Sequence, residues 1–430
     1  MPLILILLLL LTPHTAYAYL DPGSGAVLIN LIIVGFAALL YSLKSLFFHI
    51  LGKDIPKQGP AVTAELALFS EGRAYSQTFQ PLLLALIQRE QHFAYYTLDI
   101  ADPLLKIDSP YCHSRFLGFG SLGKYRAGTL KERIVLSTTP NIGCKGYPVK
   151  RSPKTRNLIH VFHSLIDISM YREGSLDHYD TVIMPGAYHA TPIREVERQR
   201  GLKGKELISL GAPYLDILLA EKRQHPHPQT DNCILVAASW GDKGLLKQYG
   251  IAAIIGLASL GYEIIIRPHP HSLKHEPQLI KKLQKQSADL SNIRWDFQLS
   301  PTLSMQKAAL LISDTSSIRF DFAFIYEKPV LSLEISQEAM PGFESESISE
   351  IWSDTAALEI GLIVPQARVE KELASYVQKA LKAYDAQRIR QFRDANVSNF
   401  GQASAAIAEY LVTLPIEPVN KQHSKGTNIL

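Results

Sequence analysis

The sequence predicts an α/β protein with two Rossmann-like, doubly wound domains preceded by an N-terminal membrane segment. Short β-branched runs alternate with helix-compatible segments through most of the chain, which is typical of parallel sheets covered by helices on both faces. The segment Glu221–Asp231 interrupts this alternation with two prolines and almost no apolar residue. It divides the chain into an N-terminal domain at 61–224 and a C-terminal domain at 231–413. An apolar stretch at 26–43 precedes both.

The composition allows more than one buried core. Of the 430 residues, 47% are apolar and 20% are charged, so two domains with appendages are expected and a disordered chain is not. The net charge of +4 is small and the cations are scattered, which argues against a nucleic-acid-binding protein but leaves a basic membrane-facing surface open. The cysteines Cys112, Cys144 and Cys233 match no metal-ligand spacing. The sequence therefore predicts no disulfide framework, no metal site and no bound cofactor.

Two apolar segments lie near the N-terminus. Residues 1–18 end in an Ala-x-Ala pattern that resembles a signal-peptidase site, so they form a signal-peptide-like or first membrane segment. The stretch 26–43 reaches the roughly 18 residues needed to cross a bilayer, and we predict a transmembrane helix there. A buried helix of a soluble domain is the alternative. Because Lys44 and further lysines follow, both domains are expected on the cytoplasmic side of the inner (cytoplasmic) membrane.

The first domain is predicted to contain six short buried strands with helices between several of them. The strands are expected at Glu65–Phe69, Phe93–Leu98, Arg133–Leu136, Leu158–Phe162, Thr181–Met184 and Leu207–Leu210, and the helices at Tyr75–Gln88 and Ala190–Arg200. Parallel strands joined by helices place their carboxyl ends at one edge of the sheet.

The second domain repeats the alternation. Strands are expected at Cys233–Ala238, Tyr262–Arg267, Asn292–Trp295, Ala309–Ser313 and Pro329–Leu333, and helices at Leu245–Leu260, Pro277–Lys285, Ser316–Tyr326, Val369–Tyr384 and Ala403–Leu411. Residues 415–430 are predicted to form a polar tail. Two such domains would enclose a cleft between opposed strand ends, which is the usual ligand site of this architecture.

A serine-rich motif marks one side of that cleft. The candidate phosphate-binding residues are Ser313, Asp314, Thr315, Ser316 and Ser317. They stand where a strand gives way to a helix, so main-chain amides and hydroxyls there can bind an anion. Ordinary helix capping is the alternative reading of the same residues. Asp321, inside the following helix, is expected to bond either the loop backbone or a ligand hydroxyl.

A histidine held by two prolines follows a second apolar run. Pro268 and Pro270 fix the backbone around His269, which favours a set direction for its imidazole. His269 is predicted to donate to a phosphoryl oxygen or to protonate a leaving group, and Arg267 to compensate negative charge. The alternative for His269 is a hydrogen bond to a nearby carbonyl alone.

Two further residues are candidates at strand ends. His163 follows the run Leu158–Phe162 of the first domain, where a neutral imidazole is placed to accept a proton from an acceptor alcohol. A plain loop histidine is the alternative, and His160, inside the run, is expected to be packed. Trp240 lies in the first strand-to-loop turn of the second domain, where Gly241 allows close backbone approach to a ligand.

Five short motifs occur in order within Asn157–Leu333. They are Gly-x-Pro-x-x-Asp at 211–216, Ala-x-x-Trp at 237–240, Arg-x-His-Pro at 267–270, Ser-Asp-x-Ser-Ser-x-x-Phe-Asp at 313–321 and Lys-Pro-Val at 328–330. The set resembles the CDP-glycerol glycerophosphotransferase family of teichoic-acid-type polyol-phosphate transferases. The resemblance implies a GT-B fold, a CDP-activated polyol donor and release of CMP. It also implies that His163 activates the acceptor, His269 lies near the diphosphate, and Ser316 and Ser317 bind phosphate.

The chain departs from the family's usual pattern at four positions. Ser164 follows the first histidine in place of glycine, and Gly241 follows the tryptophan where arginine is common. Arg267 replaces a lysine, and Thr315 stands where an aromatic residue is common. The resemblance therefore predicts the fold and the reaction type and leaves the donor and acceptor open.

The function predicted from the sequence is that of a membrane-anchored transferase in cell-envelope polymer synthesis. It would move a polyol-phosphate, with glycerol phosphate as one candidate, from a CDP-linked donor to a lipid-linked or glycan acceptor. Catalysis would be mainly electrostatic and positional. The alternatives are a GT-B glycosyltransferase or nucleotide-sugar epimerase that uses a UDP-sugar, and a non-catalytic nucleotide-binding or scaffold protein.

Overall fold

The computed structural model describes residues 33–36, 39, 64–224, 232–298, 300–335 and 341–415. The chain forms two compact units, Met1–Lys57 and Gln58–Leu430. In the first unit the described residues are helical, and the rest of the predicted segments 1–18 and 26–43 lies outside the described residues, as does the tail after Pro415. Within the described ranges no helix is both long and apolar enough to cross a bilayer, so the transmembrane helix stays a prediction.

The second unit begins with a seven-stranded parallel sheet whose strand order is β3-β2-β1-β4-β5-β6-β7. The strands are β1 (Leu66–Ser70), β2 (Phe93–Thr97), β3 (Cys112–Phe116), β4 (Ile134–Ser137), β5 (Asn157–Val161), β6 (Thr181–Met184) and β7 (Glu206–Ser209). Strands are added first on one side of β1 and then on the other, so the order reverses between β1 and β4. Such a reversal opens a crevice at the carboxyl edge of the sheet.

A six-stranded parallel sheet follows, with the order β10-β9-β8-β11-β12-β13. Its strands are β8 (Cys233–Ala237), β9 (Glu263–Arg267), β10 (Ile293–Trp295), β11 (Leu310–Ser313), β12 (Val330–Leu333) and β13 (Gly361–Val364). Here the order reverses between β8 and β11. The loops after these two strands carry Trp240 and the serine-rich motif.

Helices cover both sheets. Those of the first domain are α1 (Ser76–Gln88), α2 (Gly120–Ala127), α3 (Ala190–Arg200) and α4 (Pro213–Gln224). Those that follow are α5 (Leu245–Gln248), α6 (Ala252–Ser259), α7 (Pro270–His275), α8 (Pro277–Gln286), α9 (Thr302–Lys307), α10 (Ile318–Tyr326), α11 (Trp352–Ile360), α12 (Val369–Ala383), α13 (Ala386–Asn396) and α14 (Ala403–Thr413). Each sheet lies between two apolar clusters, which explains the near-continuous apolar character of its strands.

The predicted architecture of two parallel α/β domains is confirmed, with local differences. The predicted helix Leu245–Leu260 is two helices, α5 and α6, because Gly250 adopts a positive φ of 59° between them. The sequence analysis missed β3 and β13. β3 is an edge strand of mostly polar, partly exposed residues, so it lacks the apolar run by which the other strands were found.

The last helix returns to the first domain, although the sequence analysis counted it with the second. Ile407 and Leu411 of α14 pack in the same apolar cluster as Phe79 of α1. Asp216 of α4 caps α14 by accepting hydrogen bonds from the amides of Ala403 (3.3 Å) and Ser404 (2.7 Å). The Gly-x-Pro-x-x-Asp motif thus joins α14 to the first domain through Asp216.

Gly211 opens that motif and has a positive φ of 96°. A Cβ atom at Gly211 would lie 2.3 Å from the carbonyl oxygen of Ser398 and 2.8 Å from the Cβ of Ala403. Because only glycine tolerates both this conformation and this approach, the returning segment can pass close to the start of α4.

Loops from the carboxyl edges of the two sheets meet each other. The rings of Tyr188, after β6, and Trp352, after β12, stack with centroids 3.8 Å apart. Asp167, after β5, accepts a hydrogen bond from the amide of Ser353 at 3.3 Å. The buried carboxylate of Glu344 pairs with Arg200 of α3. These contacts bring loops of the two domains together.

Candidate active site

Asp314 is the structural centre of the second-domain edge. It is fully buried, and its carboxylate accepts hydrogen bonds from the Ser239 amide (2.9 Å) and hydroxyl (2.8 Å). It also accepts from the amides of Leu245 (2.8 Å) and Ser316 (3.0 Å). These bonds tie the loop after β8 to the loop after β11 at the point where the strand order reverses. We therefore assign Asp314 a positioning role in place of the predicted phosphate contact.

Ser313 is also internal. Its side chain is fully buried at the end of β11, and its hydroxyl donates to the carbonyl oxygen of Ala237 at 2.5 Å. A hydroxyl engaged inside the sheet does not face a ligand in the cleft. Ser313 thus joins Asp314 in holding the ends of β8 and β11 together.

Thr315, Ser316 and Ser317 remain accessible at this edge and are partly exposed. Ser317 is the N-cap of α10, yet its side chain makes no capping hydrogen bond. The alternative of ordinary capping therefore does not account for Ser317. Its hydroxyl and the amides at the start of α10 have the polarity that binds an anion.

His269 lies one strand away, after β9, and is the N-cap of α7. Its Nδ1 accepts a hydrogen bond from the His271 amide at 3.1 Å, so the proton of the neutral ring lies on Nε2. Burial, followed by the charge of His271, lowers the pKa of His269 to about 4. At neutral pH His269 is therefore an uncharged donor, which suits a hydrogen bond to a phosphoryl oxygen better than protonation of a leaving group.

Arg267 is held by its own domain. It is 8% exposed, and its guanidinium donates to Asp296 at 2.7 Å and to the carbonyl oxygen of Gln298 at 2.8 Å. Ser304 also donates to Asp296, at 2.6 Å. The predicted compensation of phosphate charge is replaced by an internal ion pair that fixes the end of β9 next to His269.

Trp240 stands at the rim of the same edge and is 47% exposed. Its ring stacks on those of His271 (4.9 Å between centroids) and His275 (5.6 Å), with His269 farther along at 6.5 Å. Glu276, which was not among the predicted site residues, accepts a hydrogen bond from the Gly241 amide at 3.3 Å through its carboxylate. Its other oxygen, Oε1, is buried and has no hydrogen-bond partner among the described residues. Trp240, the histidines and Glu276 thus form one polar, aromatic rim.

Asp321 lies at the junction of the two domains. Its carboxylate accepts a hydrogen bond from the Tyr214 hydroxyl of α4 at 2.6 Å. Burial raises the pKa of Asp321 to about 7. The Asp321 carboxylate thus joins α10 to α4, and a bond from it to a ligand hydroxyl stays a prediction.

His163 lies at the carboxyl edge of the first sheet, after β5, and is partly exposed. Its ring meets that of Tyr75 edge-on, with centroids 5.1 Å apart, and burial lowers its pKa to about 4. Its Nδ1 is buried without a hydrogen-bond partner in the described part of the chain. His160 is packed as predicted, fully buried with Nε2 bonded to the Tyr171 hydroxyl at 2.9 Å.

The first-domain edge holds polar groups that the sequence analysis did not find. The hydroxyls of Thr138 and Thr139, after β4, are buried and have no hydrogen-bond partner within the described ranges. Glu71, after β1, accepts a hydrogen bond from the Tyr147 hydroxyl at 2.6 Å and raises the pKa of Tyr75 together with burial. Because β4 lies between β1 and β5, these groups neighbour His163. These groups come together because β1, β4 and β5 are neighbours in the sheet, and this strand order was not predicted from the sequence.

Two parallel sheets, with the serine-rich loop at the edge of one and an uncharged histidine at the edge of the other, define a GT-B-type α/β protein. The chain belongs to the CDP-glycerol:poly(glycerophosphate) glycerophosphotransferase family, whose sequence profile matches residues 166–401. The resemblance noted in the sequence is thereby confirmed. The matched segment contains the motifs of the second domain, but it begins beyond His163, whose role stays a prediction.

Solved structures support the fold. The UDP-GlcNAc 2-epimerase of Methanocaldococcus jannaschii is 14% identical, with a TM-score of 0.54 over 81% of this chain and 99% of that chain. The UDP-GlcNAc 2-epimerase of Neisseria meningitidis is 15% identical, with a TM-score of 0.51 over 81% and 99%. The corresponding enzyme of Rickettsia bellii is 12% identical, with a TM-score of 0.52 over 82% and 96%. At these identities the likeness concerns the fold alone. No curated protein matches the chain.

Proposed function

We propose that this protein transfers a polyol-phosphate from a CDP-linked donor to a lipid-linked or glycan acceptor during synthesis of a cell-envelope polymer. The observation that carries the proposal is the second-domain edge, where Asp314 holds the serine-rich loop beside the loop after β8. His269 adds an uncharged donor on the next strand. Membership of the glycerophosphotransferase family supports the choice of reaction.

The proposed reaction needs little covalent help from the protein. The acceptor hydroxyl oxygen forms a bond to the phosphorus that carries the polyol, the bond from that phosphorus to the CMP oxygen breaks, and CMP leaves with the electron pair. Charge accumulates on non-bridging and leaving oxygens, which the amides and hydroxyls of Ser316 and Ser317 and the Nε2–H of His269 would stabilise.

His163 would accept the proton of the acceptor hydroxyl. Its lowered pKa of about 4 keeps the ring neutral and able to accept a proton at physiological pH, although it is then a weak base. A weak base suffices where the transition state is loose, because the hydroxyl proton is transferred late. We therefore expect positioning and charge stabilisation to contribute more to the rate than proton abstraction.

The test is incubation of the full chain in lipid vesicles with CDP-glycerol or UDP-GlcNAc and measurement of the released nucleotide. Release of CMP from CDP-glycerol, with growth of an acceptor measured by mass spectrometry, would support the proposal. Release of UDP would favour the glycosyltransferase or epimerase alternative, and binding without turnover would favour a scaffold protein.

Substitutions in the serine-rich loop test whether the second-domain edge contributes to the rate of transfer. Ser316→Ala with Ser317→Ala should lower kcat by about 10²-fold if their hydroxyls stabilise transition-state charge. The matched control is Ser259→Ala, at the exposed end of α6. Equal activity of all these variants would contradict the assignment of the serine-rich loop.

Anchoring in the cytoplasmic membrane, with both domains in the cytoplasm, is a separate part of the proposal. It rests on the apolar stretch 26–43 and the lysines after it. Val34→Arg should reduce retention in alkali-washed membranes, whereas Leu260→Arg, at an exposed site of the second domain, should not. Equal retention of both variants would contradict the anchor.

A further inference from the structure

Helix α2 and the residue before it expose three large apolar side chains on the first domain. Phe119 is 48% exposed, Leu122 54% and Tyr125 68%. Leu122 and Tyr125 are three residues apart and are therefore neighbours on the surface of α2, and Phe119 directly precedes the helix. Single exposed apolar residues are normal, but a contiguous group of them marks an interaction site. We call these three residues, with the cations Arg115 and Lys124 of the same chain segment, the α2 patch.

The α2 patch is held firmly against the edge of the sheet. Phe119 meets Phe116 of β3 edge-on at 4.8 Å, and Arg126 donates to the carbonyl oxygen of Leu117 at 2.8 Å. Gly123 lets the start of α2 close on Gly118, whose carbonyl oxygen would lie 2.2 Å from a Cβ at 123. The exposed side chains therefore project from a fixed turn.

The chain segment that carries the patch has charges of one sign, between Asp108 and Glu132. Residues 109–131 contain no Asp or Glu and four cations, Arg115, Lys124, Arg126 and Lys131. This single segment carries as much net charge as the whole chain, whose net charge is also +4. The cations thus concentrate where the apolar side chains are exposed.

We propose that the α2 patch docks the first domain on the surface of an anionic lipid bilayer. Phe, Leu and Tyr side chains insert at the level of lipid headgroups, while Lys and Arg bind the anionic headgroups around them. A second copy of this chain is a poorer occupant, because a two-fold contact would place two patches of equal positive charge against each other. This inference goes beyond the proposed reaction and does not depend on it.

Docking at this surface would have a geometric consequence for the site. α2 begins just after the carboxyl end of β3, and His163 follows the carboxyl end of β5 in the same parallel sheet. Both therefore lie toward the same edge of the first domain. The membrane would then face the edge that carries His163.

A local measurement separates this surface from any other membrane contact of the chain. The full chain is reconstituted in phosphatidylcholine vesicles, and in vesicles where phosphatidylglycerol replaces part of the phosphatidylcholine. Hydrogen–deuterium exchange is then followed by mass spectrometry in peptides that cover 117–127. We expect slower exchange of this segment in the phosphatidylglycerol vesicles only.

Variants test each part of the patch. The triple substitution Phe119→Ser, Leu122→Ser and Tyr125→Ser should abolish the protection, and Arg115→Gln with Lys124→Gln should reduce it by about fivefold per cation. The controls are Leu303→Ser with Leu358→Ser, at equally exposed apolar sites, and Lys281→Gln with Lys282→Gln on α8. These controls should keep full protection.

Three results would overturn the proposal. One is equal exchange of the segment 117–127 in both kinds of vesicle. Another is protection that survives the triple substitution while the exchange of β1 shows an intact fold. The third is protection that grows with protein concentration and is independent of phosphatidylglycerol, which would assign the patch to a second copy of the chain. None of these measurements uses turnover, so a failure of the proposed reaction leaves the test valid.

Discussion

The two strand edges differ in how their buried polar groups are satisfied, although each keeps a buried oxygen without a partner among the described residues. In the second domain Asp314 satisfies amides and a hydroxyl from two loops, so the edge holds one geometry before any ligand binds. In the first domain the hydroxyls of Thr138 and Thr139 and Nδ1 of His163 are buried without a partner among the described residues. Each such group costs about 1–3 kcal/mol unless something bonds to it.

The difference suggests a division of labour under the proposed function. The second-domain edge, which Asp314 holds in one geometry, suits the nucleotide diphosphate part of the donor. Little reorganisation of the protein is then needed on binding. Unfilled hydrogen-bonding groups suit a hydroxyl-rich acceptor, since a ligand that satisfies them recovers the cost of burying them. Four measurements test whether the edges differ in this way.

The largest effect is expected from Asp314→Ala. The substitution leaves the buried donor of Leu245 and the part-buried donors of Ser239 and Ser316 without their acceptor, so the free energy of unfolding should fall by about 4 kcal/mol. Chemical denaturation measures it. Asp289→Ala, at an exposed site, should change stability by less than about 0.5 kcal/mol. Similar values for the two variants would remove the distinction between the edges.

Asp321→Asn tests the junction between the domains. The pKa of Asp321 is raised to about 7, above its ordinary value of 3.8, so the folded state binds a proton that the unfolded state releases. The contribution of Asp321 to stability should therefore be complete below about pH 4 and be lost as the pH rises to about 7, by up to about 4 kcal/mol. Asn cannot titrate, and its unfolding curve should lack this loss. If the free energies of unfolding of wild type and variant differed by the same amount at every pH from about 4 to about 7, the raised pKa of Asp321 would be contradicted.

His163→Gln tests a pH dependence of stability in the wild-type protein that has the opposite sign. The pKa of His163 is lowered to about 4, so the unfolded state binds a proton that the folded state does not. Its contribution to stability should be complete above about pH 6.5 and be lost as the pH falls to about 4, by up to about 3 kcal/mol. The Gln variant should lack this loss. The exposed His178→Gln is the control, and an equal response of both variants would count against a lowered pKa of His163.

The smallest effects compare hydroxyls at the two edges. Ser313→Ala removes a bonded hydroxyl and should cost about 1 kcal/mol. Thr138→Val removes an unpartnered one and should leave stability unchanged or raise it by about 1 kcal/mol, while the KM for the acceptor increases. Thermal unfolding and steady-state kinetics measure both. Equal destabilisation by the two substitutions would show that the first-domain edge is satisfied after all.

The sequence was sufficient where apolar patterning decides the structure. The runs that became β5, β9 and β11 end in polar residues, so the positions of His163, His269 and Ser316 at strand ends followed from them. β3, with the sequence Cys-His-Ser-Arg-Phe, carries no such run and was missed. An edge strand needs only one hydrogen-bonded neighbour and little apolar surface.

The roles of individual side chains were less accessible, because they depend on partners distant in the sequence. The bond from Ser239 to Asp314 spans 75 positions, and that from Tyr214 to Asp321 spans 107. Strand order brings the first pair together and domain packing the second, and neither is encoded in a local motif. Asp314, Arg267 and Asp321 therefore read as ligand contacts in the sequence and are structural in the fold.

The return of α14 to the first domain has a consequence for biosynthesis. Phe79 and its neighbours cannot complete their packing until Ile407 and Leu411 have left the ribosome, after the whole second domain has been made. Part of the apolar core of the first domain therefore stays exposed to solvent while the second domain is translated. A nonsense or frameshift lesion near residue 400 would release a chain with both sheets and an unsealed core, a natural client for chaperones and proteases.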